Sequence, residues 1–250
     1  MKSKWGIMFR ALIVVVPLLA LKVLLHYLGL EVITVGPVIT ALVAGIFFVI
    51  AIILSGVLAD FKESERMPGE LVASLEALYK DTILAGTKET VPGTLEKVRN
   101  LTRSIIANFE RKGSWKASEV NVLIDVIDED IRSFSERGAA PAFIVKLRNE
   151  VGAVKKICNR VEIIKETSFL PAGQAIAEFA IGTGILVMLL LQLEPVYEGC
   201  VLIGVIALIF TSTVLLIRDM DDPFEGHAKV DIKQIYKLEK YLEGKSPAHK

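Results

Sequence analysis

Two cysteines in 250 residues, Cys158 and Cys200, are too few and too far apart for a disulfide framework, so both are expected as free thiols. Histidine is equally scarce: His26, His227 and His249 are scattered along the chain. The chain has no HExxH, no CxxC pair, no GxxxxGKS/T and no GxSxG, so the common hydrolase and nucleotide-binding chemistries lack their residues. No enzymatic activity, cofactor or metal is expected. Lysine plus arginine balance aspartate plus glutamate at 29 each, and a formal net charge of zero offers nothing to attract nucleic acid.

Charge is also missing locally, and there its absence is informative. The segment 37–58 holds no charged side chain, and its hydroxyls are Thr40 and Ser55. Segment 11–30 is apolar apart from Lys22, His26 and Tyr27, and 179–193 and 200–217 are apolar runs as well. With 52% hydrophobic residues and a mean hydropathy of +0.51, the chain is too apolar for an ordinary soluble domain. A helix needs about 20 apolar residues to cross a bilayer. Four spans are therefore expected, at about 6–30, 37–58, 172–193 and 198–217. A cleaved signal peptide competes for the first, but no small-residue cleavage site follows it.

The short connections 31–36 and 194–199 carry no lysine or arginine, whereas the N-terminus, the segment 59–171 and the tail 218–250 do. That distribution places both termini and the middle segment in the cytoplasm, with the chain in the plasma membrane.

The middle segment reads as helix throughout. Leu95, Val98, Leu101, Ile105 and Phe109 share one face. A second stripe is Val120, Leu123, Ile127, Ile131 and Phe134, with Ser118 as N-cap and Gly138 as stop. From Pro141 to about 168, Ile144, Leu147, Val151, Val154, Cys158 and Val161 form a seam that wants a partner helix, within the chain or on another subunit. The second span is expected to continue as helix to about Met67, with Pro68 then opening the first turn of a new helix. Asp125, Asp128, Glu129 and Asp130 suit a solvated face, since one helix cannot converge enough oxygens for Ca²⁺.

Lys22 and His26 lie one turn apart within the first span. Either they snorkel to the outer interface or they form an anion-attracting pair. Glu178 opens the third span, where its charge favours the helix N-terminus.

The stretch RDMDDPFEG (218–226), directly after the fourth span, resembles the corner that follows the last membrane helix of the bestrophins, the pentameric anion channels. A bestrophin-like family of membrane proteins is closer still in its acidic step and Pro-Phe-small-Gly turn, here Asp219, Asp221, Asp222, Pro223, Phe224 and Gly226. LPAGQAIAEF, opening the third span, and GPVITALVAGIFFVIAIILSGVLADFKESERMPGEL, covering the second, look like the same family. The resemblance implies an all-α fold with four membrane helices and a helical insert between the second and third. It also implies self-association as a pentamer and conduction of anions such as chloride through a neck lined by the second helix.

On that neck Val38, Leu42, Ile46 and Val49 are expected to share a face, extended by Ile53, although lipid contact explains the same residues. Phe224 is expected to fill an apolar slot, and Val230, Ile232, Ile235, Leu238 and Leu242 to pack the tail on its own or a neighbouring bundle. Calcium-responsive bestrophins carry acidic residues just after the turn, where this chain has His227, Ala228 and Lys229. The aromatic–arginine end of the eukaryotic neck is replaced by Val57, Leu58, Ala59 and Asp60. A membrane-anchored scaffold or sensor, with the helical insert as its partner-binding module, is the alternative function.

Overall fold

A computed structural model describes residues 5–113, 115–166, 171–225 and 229–244. Among the described residues the fold is all-α but for two residue pairs. In chain order it contains α1 (Gly6–Tyr27), β1 (Ile33–Thr34), α2 (Pro37–Ala85), α3 (Val91–Glu110), α4 (Ala117–Glu136), α5 (Pro141–Glu166), α6 (Pro171–Leu190), β2 (Leu191–Gln192), α7 (Val196–Asp221) and α8 (Lys233–Gly244). Four helices, α1, α2, α6 and α7, are long and apolar enough to cross a membrane. The chain divides into two compact units, one built on these spans and one on α3, α4, α5 and α8, with α2 contributing residues to each.

The expected break before Pro68 does not occur, and α2 continues to Ala85 as one helix. Proline lacks the N–H that the Ser64 carbonyl would accept, a cost of about 3 kcal/mol inside a helix. Burial outweighs that cost. Met67, Leu71, Leu75 and Leu78 form a stripe on one face, and all four are buried in the core of the second unit. Each contributes about 1.5–3 kcal/mol of transfer energy, so tertiary packing overrides the local breaker.

In the first unit α1 packs against α6 and α7, and α6 against α7. Ile33 and Thr34 pair in parallel with Leu191 and Gln192, tying the connection after α1 to the end of α6. The core joins Ile46, Ile50 and Val57 of α2 to Ile181 and Met188 of α6 and to Ile203, Phe210 and Ile217 of α7. Helix α1 stops at Gly29, whose φ of 68° suits glycine, with Leu30 N–H returning to the Leu25 carbonyl at 3.0 Å.

In the second unit the stripes of α3 and α5 are buried as their periodicity dictates. On α4, Ile124 takes the core position expected for Leu123, and the helix starts at Ala117 without a side-chain cap, so Ser118 lies inside its first turn. Gly138, at φ 83°, ends α4: its N–H donates to the Ser135 carbonyl and that of Ala139 to the Phe134 carbonyl. Asp125, Asp128 and Glu129 lie on the expected solvated face, and each has a basic neighbour. Asp130 accepts from Lys97 and from the Thr94 hydroxyl, both at 2.7 Å, and Asp125 and Asp128 face Lys155 and Arg148 of α5. Among the described residues no three His, Cys, Asp or Glu side chains converge as metal ligands. The α5 seam is covered within the chain by its own neighbours, chiefly α4.

Candidate functional site: the outward face of α2

Residues 37–58 of α2 are apolar all round, so periodicity could not say which side meets the protein. Packing does. Ile46 is 5% exposed, Ile50 4% and Val57 1%. Opposite Ile46, α6 carries Gly184: a Cβ built there would lie 2.8 Å from Ile46 Cδ1. The glycine gives the isoleucine its space. Phe47 leans on Phe210 of α7, their ring centroids 4.7 Å apart.

This geometry divides the residues expected to share a face. Val38 is 80% exposed and Leu42 lies at the surface, but Ile46 is in the core, while Val49 and Ile53 are half-buried. The four residues Val38, Leu42, Ile46 and Val49 therefore do not form one exposed surface. At 100° per residue, the side opposite the core carries Ala41, Ala44, Phe48, Ile52, Ser55 and Ala59, all exposed. Ala41, Phe48 and Ser55 recur at seven-residue intervals down its middle. This face was missed in the sequence, although its small residues were the available signal: alanine and serine cluster there, and most of the bulky β-branched residues gather on the core side.

The face carries no charge, and its large side chains are Phe48 and Ile52. A ring of such faces would bind no ion by charge and would oppose hydrated ions by dewetting, more weakly for anions that hold water loosely.

Lys22 neither snorkels nor stands ready for an anion. It is 2% exposed; its ammonium donates to the carbonyls of Leu189 (3.3 Å) and Leu191 and pairs with the Glu31 carboxylate. His26 Nδ1 lies 3.0 Å from the other Glu31 oxygen. One carboxylate after α1 thus serves both residues, and the cluster fastens α1 to the end of α6.

The corner also differs in detail from its expectation. Helix α7 runs to Asp221, so Asp219 and Asp221 belong to its last turn and Asp222 is the C-cap. Asp221 accepts 2.7 Å from the Gln174 amide, and Arg218 donates to Glu178 at 2.6 and 3.0 Å, two links between α6 and α7. Glu178, two turns into α6, is held by this arginine rather than by the helix N-terminus. Within the second unit, Phe224 is 6% exposed and stacks at 5.5 Å on Phe109, which meets Trp115 at 5.0 Å. Val230 N–H donates to the Pro223 carbonyl at 2.7 Å, and Glu225 accepts from Gly113 N–H at 2.7 Å. Gly226 and the following His227 and Ala228 lie outside the described residues. The tail helix α8 buries Ile235, Leu238 and Leu242 against α3 of the same chain, with Ile232 half-buried.

No family model matches this chain, and no curated protein matches it in sequence. Solved structures do. A crystal structure of a bacterial bestrophin homologue from Klebsiella pneumoniae superposes with a TM-score of 0.78 at 14% identity, covering 97% of this chain and 99% of the other. A single-substitution variant of that homologue gives 0.77 at 13% identity over 94% and 97%. A crystal structure described as a membrane protein gives 0.80 at 14% identity over 97% and 99%. The fold of this chain is bestrophin-like.

Proposed function

We propose that this chain is the protomer of a homo-oligomeric anion channel of the cell membrane, with the outward face of α2 lining an apolar neck. The bestrophin-like fold supports the class, and one observation carries the choice of surface. Helix α2 spends one face on its own core and leaves Ala41, Ala44, Phe48, Ile52, Ser55 and Ala59 uncovered. Small residues allow close approach of symmetry-related helices, and the two bulky apolar residues between them suit a constriction. The positive-inside distribution of lysine and arginine supports cytoplasmic termini and a cytoplasmic helical unit. The α5 seam, which a partner of a scaffold could have covered, is covered within the chain.

Two measurements test the channel. The detergent-corrected mass is expected near five times the 27.4 kDa protomer. In chloride-loaded liposomes, Phe48→Ala is expected to raise flux and Ser55→Asp to suppress it. Absence of flux from a folded wild-type oligomer, or flux indifferent to both substitutions, would refute the assignment.

A further inference from the structure

We propose that the groove between residues 63–70 of α2 and 152–163 of α5, within the second unit, is a binding site for a phosphate-bearing anion. Two adjoining cavities of about 590 and 400 Å³ share Glu63, Lys156 and Arg160 as walls. Both are open to solvent, and most of the charged residues that line them are exposed. Lys155 and Asn159 line the larger, and Arg66 and Glu70 line the other. Four cations thus face two carboxylates.

Those charges are not equally committed. Glu63 holds Arg160 through Nε at 2.9 Å and Nη2 at 3.0 Å, which fixes the plane of the guanidinium. Lys155 leans 3.5 Å from Asp125. Among the described residues, Lys156 and Arg66 have no carboxylate within ion-pair distance. An oriented guanidinium, two uncommitted cations and the Asn159 amide form a donor-rich wall, the arrangement that recognises phosphoryl oxygens.

Gly152 is the second, independent observation. It sits inside α5, where glycine weakens a helix, and a Cβ there would meet nothing within 4 Å. Packing therefore does not demand glycine at this position. It lines the larger depression, and a longer side chain there would reach into that open space.

The phosphate group could belong to a soluble compound or to a lipid headgroup, and the test has an arm for each. Inorganic pyrophosphate is titrated calorimetrically into the detergent-solubilised full chain at low salt. In parallel, mixed micelles containing phosphatidylglycerol are compared with phosphatidylcholine alone. The double variant Lys156→Gln/Arg66→Gln is expected to weaken binding at least about tenfold without lowering the thermal midpoint of the free protein. Gly152→Leu is expected to weaken it with every charge in place. Binding in the pyrophosphate arm assigns a soluble ligand, and binding only of phosphatidylglycerol assigns a headgroup. No binding in either arm, or binding unchanged in all variants, overturns the proposal. So does a change of particle mass without a change of binding, which would give the groove to a contact between copies. None of these readouts depends on whether the protein conducts.

Discussion

Ile46 on α2 occupies the space that a side chain at Gly184 of α6 would need, its Cδ1 standing 2.8 Å from the position of the missing Cβ. Gly184→Val is therefore expected to overpack the core of the first unit and to destabilise it by about 1–3 kcal/mol. Gly182→Ala, two residues away with nothing within 4 Å of its Cβ, is the control and should be neutral or slightly stabilising. Thermal midpoints of the detergent-solubilised protein decide it. Equal losses in the two variants would mean that Ile46 is not where the structure has it.

Glu31 is the counter-charge of a buried ammonium. Glu31→Gln leaves Lys22 without its carboxylate in an apolar setting and should cost about 3–5 kcal/mol. Replacing both partners together, Lys22→Met with Glu31→Leu, should cost much less than Glu31→Gln alone, because no uncompensated charge remains. Chemical unfolding of the three proteins provides the comparison, and a double replacement as damaging as the single one would contradict the pairing.

Cys158 is buried in α5, and burial pushes its thiol from 9.0 up to about 12. The folded value lies above the unfolded one, so the neutral thiol's contribution is intact below about pH 9 and is lost as pH rises from 9 towards 12. In a Cys200→Ser background the native protein should leave a maleimide unreacted at pH 8, where the denatured chain reacts fully. Cys158→Ala should flatten the alkaline limb of the stability profile. Rapid labelling of the native protein would contradict the burial.

Phe224→Ala removes the ring that stacks on Phe109 and should destabilise the second unit by about 3–5 kcal/mol. Trp115, 2% exposed and beside the same cluster, reports the change locally. Its emission should move to longer wavelength as water enters, with a Trp5→Phe background removing the other indole. Unchanged emission would separate Phe224 from that cluster.

Much of the architecture could be read from the sequence because membrane spans and amphipathic stripes are strong physical signals. The uncharged run 37–58 could only be a span, and Leu95 to Phe109 could only be a buried helical face. What escaped notice depended on competition between signals. Pro68 is a local breaker overruled by four buried side chains distant in sequence from their partners. Leu123 and Ile124 are equally apolar neighbours, and only the packing of α4 chooses between them. Ile46 is indistinguishable from Ile52 in a helix without a polar side; the vacancy at Gly184, over a hundred residues away, decides which one turns inward. Lys22 read as a snorkelling or anion-attracting cation because its partner, Glu31, lies beyond the end of the helix.

The Arg99 guanidinium donates to the Leu242 carbonyl at 3.0 Å across 143 residues, and with it α8 closes over α3. The cover for α3 is thus synthesised only after α4, α5, α6 and α7 have been made. Until then the flank of α3 that receives Ile235, Leu238 and Leu242 stays wet, so a chain truncated before residue 233 would present that greasy flank to chaperones and proteases.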